Sequence, residues 1–194
     1  KCMEDASGYD LTHFKLWYSQ AGTPKVTVTS DFDKDRGIYK LRFKQDIPDT
    51  NGQKDKAPMY IPISMGLLDT DGSPLPLDSK GSHNKVLILD EAEQEFEFTG
   101  IKNRPVPSLL RDFSAPVRLY TDLEDRDYLF LMAHDTNGFN RWESGQIVAK
   151  KVLHDMIGAH KNKQQMVADD VFVRQMGWLI DNQNADKMLL AKSL

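Results

Sequence analysis

The sequence predicts two kinds of structure in one chain: an immunoglobulin-like antiparallel β-sandwich, then short antiparallel helices of a truncated helical domain. Three observations predict it. From about Lys25 to Thr121 apolar residues recur with a period of two between turn residues. From about Asp122 to Leu194 the period lengthens to that of a helix. Bulk composition agrees, with 40% hydrophobic and 28% charged residues among 194, enough apolar material for a packed globular core.

Ahead of the strands, Leu11, Phe14 and Tyr18 recur at helical offsets, Asp10 is placed to cap them, and Gly22-Thr23-Pro24 stops the helix. Residues 1–24 therefore read as the tail of a preceding element plus a linker, and a chain opening on Lys1 reads as one whose true start is missing. Val26, Val28 and Ser30 alternate with Thr27, Thr29 and Asp31. Ile38 to Phe43 alternates again after a charged turn ending at Gly37, so the two runs predict a hairpin. Tyr60 to Leu68 is a longer apolar strand that Pro62 demotes to an edge or a bulge, and Asp71-Gly72 marks a turn. Val86 to Leu89, Phe96 to Phe98 and Val117 to Tyr120 supply three more strands, completing a sandwich over residues 25–121. The Cys…Trp…Cys pattern of antibody domains is missing, so the immunoglobulin likeness is one of architecture.

Residues 122–194 predict the first helices of a second domain. Leu129, Met132 and Ala133 share one helix, ended by Asn137-Gly138. Asn140 followed by Glu143 predicts the next start, and Val148, Val152, Met156 and Ile157 form an apolar stripe closed by Gly158. Phe172, Met176, Leu179 and Ile180 repeat the pattern, and Met188-Leu189-Leu190 begins a further helix that stops at Leu194 without a cap. Linkers are expected at Gly22–Pro24 and near Asp122 to Asp127. Of the aromatics, Phe14, Trp17 and Tyr18 read as an interdomain anchor, Trp142 as a packing residue at a helix start and Trp178 as core.

A formal net charge of −4 supplies no electrostatic attraction for nucleic acid or an anionic membrane, and no apolar run approaches a membrane span. Cys2 is the single cysteine and no Asn-x-Ser/Thr acceptor occurs, which together suit a reducing, cytoplasmic setting.

No catalytic, cofactor-binding or metal-binding residue can be nominated. A zinc peptidase needs two imidazoles one helical turn apart, as in H-E-x-x-H, with a carboxylate base and a third ligand. The histidines are His13, His83, His134, His154 and His160; the nearest pair, His154 and His160, is six positions apart, which leaves the rings about 120° apart around a helix axis. Asp31, Asp33 and Asp35 have the odd spacing of a calcium loop, but Arg36 and Arg42 stand where it needs Gly and Glu, so a charged hairpin turn is expected. Glu91, Glu93, Glu95 and Glu97 project to one strand face opposite Phe96 and Phe98, a solvated face rather than an acid pair. No G-x-S-x-G elbow, phosphate-binding loop or dinucleotide fingerprint occurs.

Three stretches are specific: Asp10-Leu11-Thr12-His13-Phe14-Lys15-Leu16-Trp17-Tyr18-Ser19-Gln20-Ala21-Gly22-Thr23-Pro24, Pro105-Val106-Pro107-Ser108-Leu109-Leu110-Arg111-Asp112-Phe113-Ser114-Ala115-Pro116-Val117 and His134-Asp135-Thr136-Asn137-Gly138-Phe139-Asn140-Arg141-Trp142-Glu143-Ser144-Gly145-Gln146. In that order they resemble the junction, the sandwich and the start of the C-terminal helical domain of aminopeptidase N of the bacterial alanyl type, a gluzincin zinc metallopeptidase family. The resemblance implies a parent enzyme that removes N-terminal amino acids from peptides during their catabolism. In that family a zinc ion is held by H-E-x-x-H plus a downstream Glu, and a G-x-M-E-N motif grips the substrate's amino terminus. None of these matches a position here. The resemblance thus implies a non-catalytic structural and interdomain fragment. Its partners would be the catalytic and remaining helical domains of the same parent chain, with peptide substrates met only through that parent. The rival expectation is a free-standing β-sandwich module binding protein or carbohydrate, and a stand-alone hydrolase lacks any nucleophile–base pair.

Overall fold

The computed structural model describes residues 2–181 and residue 191, the side chains of residues 178 and 179 excepted. The helix expected at Met188-Leu189-Leu190 and the core role expected of Trp178 lie outside the described residues. The N-terminal stretch is three short turns of helix: α1 (Cys2–Ser7), a 3-10 turn (His13–Lys15) and α2 (Leu16–Ser19). Asp10 Oδ1 accepts the Thr12 N–H at 2.8 Å, but Asp10 is not the cap expected: Thr12 is the N-cap and has no side-chain capping bond, so Asp10 closes an Asx turn just ahead of the helix. Tyr18, expected on the packed face, is instead 83% exposed, because the helix changes pitch between Lys15 and Leu16 and the shared face is lost.

The first sheet has the order β5-β2-β1-β7, built from β1 (Lys25–Asp33), β2 (Ile38–Asp46), β5 (Glu93–Thr99) and β7 (Arg118–Thr121). The predicted β1–β2 hairpin is present and antiparallel, with Val28 opposite Phe43. Alternation buries Val26, Val28, Tyr39, Leu41 and Phe43 on one face. On the other face Lys40, Arg42 and Lys44 stand opposite Glu97, Glu95 and Glu93. Lys44–Glu93 at 2.7 Å and Arg42–Glu95 at 2.9 Å are ion pairs, so the acidic face of β5 is a charged cover on an edge strand. Hydrogen bonds from Lys44 to Glu93 and from Lys40 and Arg42 to Glu95 lower both carboxyls. One departure from an all-antiparallel sheet is β7, which runs parallel to β1, with Val26 beside Leu119.

The second sheet has the order β4-β3-β6, from β4 (Lys85–Leu89), β3 (Ile61–Leu68) and β6 (Val106–Leu109). Pro62 therefore lies in a central strand, not the edge or bulge expected. The reason is local: the β6 ladder spans only Met65 to Leu68, so Pro62 is never asked for an N–H toward β6, and its carbonyl accepts the Ser114 hydroxyl at 3.0 Å. Strand β6 lies outside the runs expected to form strands. Its Pro107 hides the signal, and it is tolerated because β6 is the edge of its sheet.

The helices are α3 (Asp125–His134), α4 (Gly138–Lys161) and α5 (Asp170–Asp181). Asn137-Gly138 does not end α3. Asn137 is instead the N-cap of α4, its Oδ1 accepting the Asn140 N–H at 3.1 Å, and the expected start at Asn140 is displaced because that side chain is buried for another purpose. Gly158 does not close α4 either; the helix runs on to Lys161 and leaves Ile157 half exposed. Glu124 and Asp127 form a reciprocal capping box at α3, which turns part of the expected Asp122–Asp127 linker into a helix start. None of the helices among the described residues is long and apolar enough to cross a membrane.

The chain divides into two compact units interleaved along the sequence: Lys1–Ser64, Val86–Arg104 and Ser114–Asp122 in one, and Met65–Lys85, Pro105–Phe113 and Leu123–Leu194 in the other. The first is centred on Val26, Tyr39, Leu41, Phe43, Met59, Ile61 and Ile63, all essentially inaccessible. In the second, Met65, Leu67, Leu68, Leu109, Leu131, Met132 and Val148 are buried, so strand residues and helices contribute to one core.

Candidate functional site

The histidines are dispersed. His13 Nε2 lies 2.7 Å from the Pro58 carbonyl, and His134 packs on Phe130 with ring centroids 4.8 Å apart. His154 and His160 both lie on α4 because Gly158 does not interrupt it, but six positions still separate them. Asp33 accepts the Arg36 N–H at 3.0 Å, in keeping with a hairpin turn. Among the described residues no group of three or more His, Cys, Asp or Glu side chains is arranged to hold a metal ion. Among the described residues the donor set therefore does not fit the zinc that the resemblance implies for a parent enzyme.

The densest polar cluster forms around Arg111, which is 2% exposed. Its Nε donates to Ser108 Oγ at 2.9 Å, its Nη2 to Asp135 Oδ1 at 3.0 Å, and its Nη1 to Asn84 Oδ1. Asn140 Nδ2 donates to Ser108 Oγ at 2.9 Å and to the Leu109 carbonyl at 2.8 Å. Asn137 reaches back to the same loop, Nδ2 to Asp112 Oδ1 at 2.8 Å, while Asp135 Oδ1 accepts the Asn137 N–H at 2.9 Å. Three helix-side residues, Asp135, Asn137 and Asn140, thus share one hydrogen-bonded network with the β6 loop and Asn84. Every link needs its partner, since a buried polar group left alone costs about 1–3 kcal/mol.

The loop that presents Arg111 is strained. Leu110, Asp112 and Phe113 all sit near φ 55°, the left-handed region that costs L-residues on the order of 1 kcal/mol each. The cluster over-determines this backbone: Arg111 is fixed by three partners and Asp112 by Asn137. Gly66 on β3 leaves the room. A Cβ there would land on the Arg111 guanidinium, whose displacement would break its bonds to Ser108, Asn84 and Asp135. Gly66→Ala should therefore cost about 1–3 kcal/mol in wild type and much less in an Arg111→Met background, as read from urea midpoints of the two pairs.

Asp135 is the buried charge in this cluster, and its Oδ2 has no hydrogen-bond partner among the described residues. Burial raises its pKa, outweighing the lowering effects of the Ser108 hydroxyl, the Asn137 N–H and the Arg111 and Arg141 charges. Because the folded value lies above the unfolded one, the stability contributed by this group is full below the ordinary carboxyl range and is lost as pH rises through the folded value. Measured from about pH 4 to pH 7, the urea midpoint of Asp135→Asn should gain on that of wild type. A wild type that gains on the variant over that range contradicts the assignment.

This arrangement holds rather than reacts. Ser108 is fully buried and its hydroxyl oxygen accepts from the Arg111 guanidinium and the Asn140 amide, so no substrate atom can reach it. The sequence alone suggests no role for Arg111 or Asp135, and for Asn140 it suggests only a helix start. The available signal is that Arg111 and Asp135 come just after apolar runs, Leu109-Leu110 and Leu129 to Ala133, whereas Asn140 stands between Phe139 and Arg141 and follows no such run.

Residues 22–122 match the family model described as a domain of unknown function (DUF3458) with an Ig-like fold. The chain belongs to this DUF3458 family. Residues 125–194 match the companion DUF3458_C model, described as ARM repeats. The relatives of this family member are aminopeptidases. Aminopeptidase N of Escherichia coli is 41% identical over 168 residues, covering 86% of this chain and 19% of the relative. Aminopeptidase N of Haemophilus influenzae is 32% identical over 185 residues, covering 95% of this chain and 21% of the relative, and that of Caulobacter vibrioides is 42% identical over 152 residues, 78% and 17%. Among solved structures, Legionella pneumophila aminopeptidase A, crystallised with aspartic acid, superposes with a TM-score of 0.81 at 32% identity, covering 99% of this chain and 20% of that one. The chain thus spans about a fifth of the length of the relatives it matches.

Proposed function

We propose that this chain is a non-catalytic structural and interdomain module of a zinc-dependent aminopeptidase that removes N-terminal amino acids from peptides. The supporting observation is the asymmetry of coverage: similarity extends over 86% of this chain but only 19% of an aminopeptidase N. In this reading residues 1–24 are the tail of a preceding catalytic domain and its connection, 25–121 the sandwich and 122–194 the first helices of a C-terminal helical domain. Zinc and the substrate-gripping groups belong to the rest of the parent, which works on peptides in the cytoplasm. The module's own side chains do the work of shape. Arg111, Asp135 and Asn140 tie strand-borne and helical elements together within one compact unit.

A free-standing module for protein or carbohydrate has less support, since the solvent face of β2 and β5 is filled by Lys40, Arg42, Lys44 and their glutamates rather than by an aromatic platform. The test is hydrolysis of aminoacyl reporter amides by the purified chain with zinc added. The expected rate equals the protein-free blank. Zinc-dependent turnover that survives further purification and is abolished by a histidine substitution in this chain would overturn the reading.

A further inference from the structure

The stretch expected to be a linker, Gly22–Pro24, is hydrogen-bonded at Pro24 and is preceded by residues whose backbone is held by side chains. Ala21 N–H donates to Gln53 Oε1 at 2.7 Å, and Gln53 Nε2 donates to the Ser19 carbonyl at 2.9 Å. The Ala21 carbonyl accepts from Lys56 Nζ at 2.7 Å, and the same ammonium donates to the Pro48 carbonyl at 2.6 Å and to Thr50 Oγ1 at 2.8 Å. All three ammonium donors are thereby spent on neutral oxygens, as a bound cation would spend its coordination. Gly22, at φ +102°, fits against Pro48, Thr50 and Lys56 in a conformation that other residues rarely adopt, and the Pro24 carbonyl accepts the Arg118 N–H at 2.9 Å.

The grip continues along the extended residues that follow. Gln20 bonds both the N–H and the carbonyl of Ala57, at 2.8 and 2.9 Å. His13 meets the Pro58 carbonyl at 2.7 Å, Gln45 bonds both the N–H and the carbonyl of Met59, at 2.7 and 3.0 Å, and Trp17 Nε1 donates to the Tyr60 carbonyl at 2.8 Å. Side chains from the helical turns and from β2 thus take the place of a neighbouring strand. The clamping loop is itself closed by a tight turn, Thr50 and Gln53 exchanging two backbone hydrogen bonds of 3.0 Å around Gly52 at φ +80°.

We infer that residues 47–60 form a clamp, pinned by Lys56, that makes residues 13–24 a rigid joint fused to the first sheet rather than a flexible connection. Most of this joint precedes the matched family region, which begins at residue 22. Whatever chain is attached ahead of α2 then turns with the sandwich as one body; that consequence rests on the proposed interdomain role, whereas the joint is a property of these residues alone.

Amide hydrogen exchange of the chain, followed by NMR, tests it in wild type, Lys56→Met and Gln53→Ala. In wild type the Ala21 amide should exchange at least about tenfold more slowly than in an unstructured peptide. Either variant should speed it by about tenfold or more while the Leu41 and Phe43 amides keep their rates. Should Lys56→Met not fold, Gln53→Ala, which removes only a half-exposed side chain, decides alone. An Ala21 amide that exchanges at the peptide rate in wild type, or whose protection is untouched by Gln53→Ala, overturns the joint without bearing on the chain's lack of catalysis.

Discussion

Replacing Arg111 with methionine should lower the free energy of unfolding by about 3–5 kcal/mol, the cost of breaking a buried ion pair from one side. The substitution keeps much of the aliphatic volume but removes the donors to Ser108, Asn84 and Asp135 together. It leaves Asp135, 2% exposed, without its guanidinium. It also withdraws the group that holds the loop whose Leu110, Asp112 and Phe113 lie at φ 55°. For a chain of this size the melting temperature should fall on the order of 10 °C. The mechanism predicts a specific coupling. In an Asp135→Asn background, which removes the stranded charge yet still offers an oxygen to the Asn137 N–H, the same substitution should cost on the order of 1–2 kcal/mol less. Equal costs in both backgrounds would mean that the ion pair does not organise the cluster. Urea denaturation of the four proteins gives the answer.

The second large effect is expected at Gln45, a β2 residue 5% exposed. Its amide closes both polar groups of Met59 and also donates to the Glu91 carbonyl at 2.9 Å. Gln45→Ala strands the Met59 N–H and two carbonyls in a site where Met59 is 1% exposed, so a loss of about 2–4 kcal/mol is expected. Gln45→Glu keeps the acceptor for Met59 but gives up the donor and buries a charge, so it should not rescue. A loss below about 0.5 kcal/mol for Gln45→Ala would show that the extended segment is held by packing alone.

Much of the fold was legible because it obeys local periodicities. The β1–β2 hairpin follows from alternation on either side of Gly37, and the Glu93, Glu95 and Glu97 face follows from the same period. What failed were boundaries decided by distant partners. Asn137-Gly138 looks like a helix stop when read alone; it starts α4 because Asn137 is shared between its own helix and Asp112, 25 residues earlier. Gly158 looks like a cap when read alone, yet α4 continues through it to Lys161. Strand β6 was hidden by Pro107, which only the edge position excuses.

The cluster was legible in outline but not in role. The stretch around Ser108 and Arg111 and the stretch around Asp135 and Asn140 are separate likenesses in the sequence, and in the structure they form the two halves of one network. The third stretch, Asp10 to Pro24, supplies the helical side of the joint through His13, Trp17 and Gln20. Distinctive residue strings thus mark places where side chains satisfy backbone or each other across long sequence separations. No local pattern predicts such pairings, because each partner alone reads as an ordinary polar residue.

Metal binding tests most directly the proposal that this chain contributes shape and not a reactive centre. Equilibrium dialysis of the purified chain against micromolar zinc near neutral pH, followed by elemental analysis, should find no stoichiometric tightly held ion, as the scattered positions of His13, His83, His134, His154 and His160 require. One zinc per chain, retained through dialysis and lost when a pair of these histidines is replaced, would contradict the account.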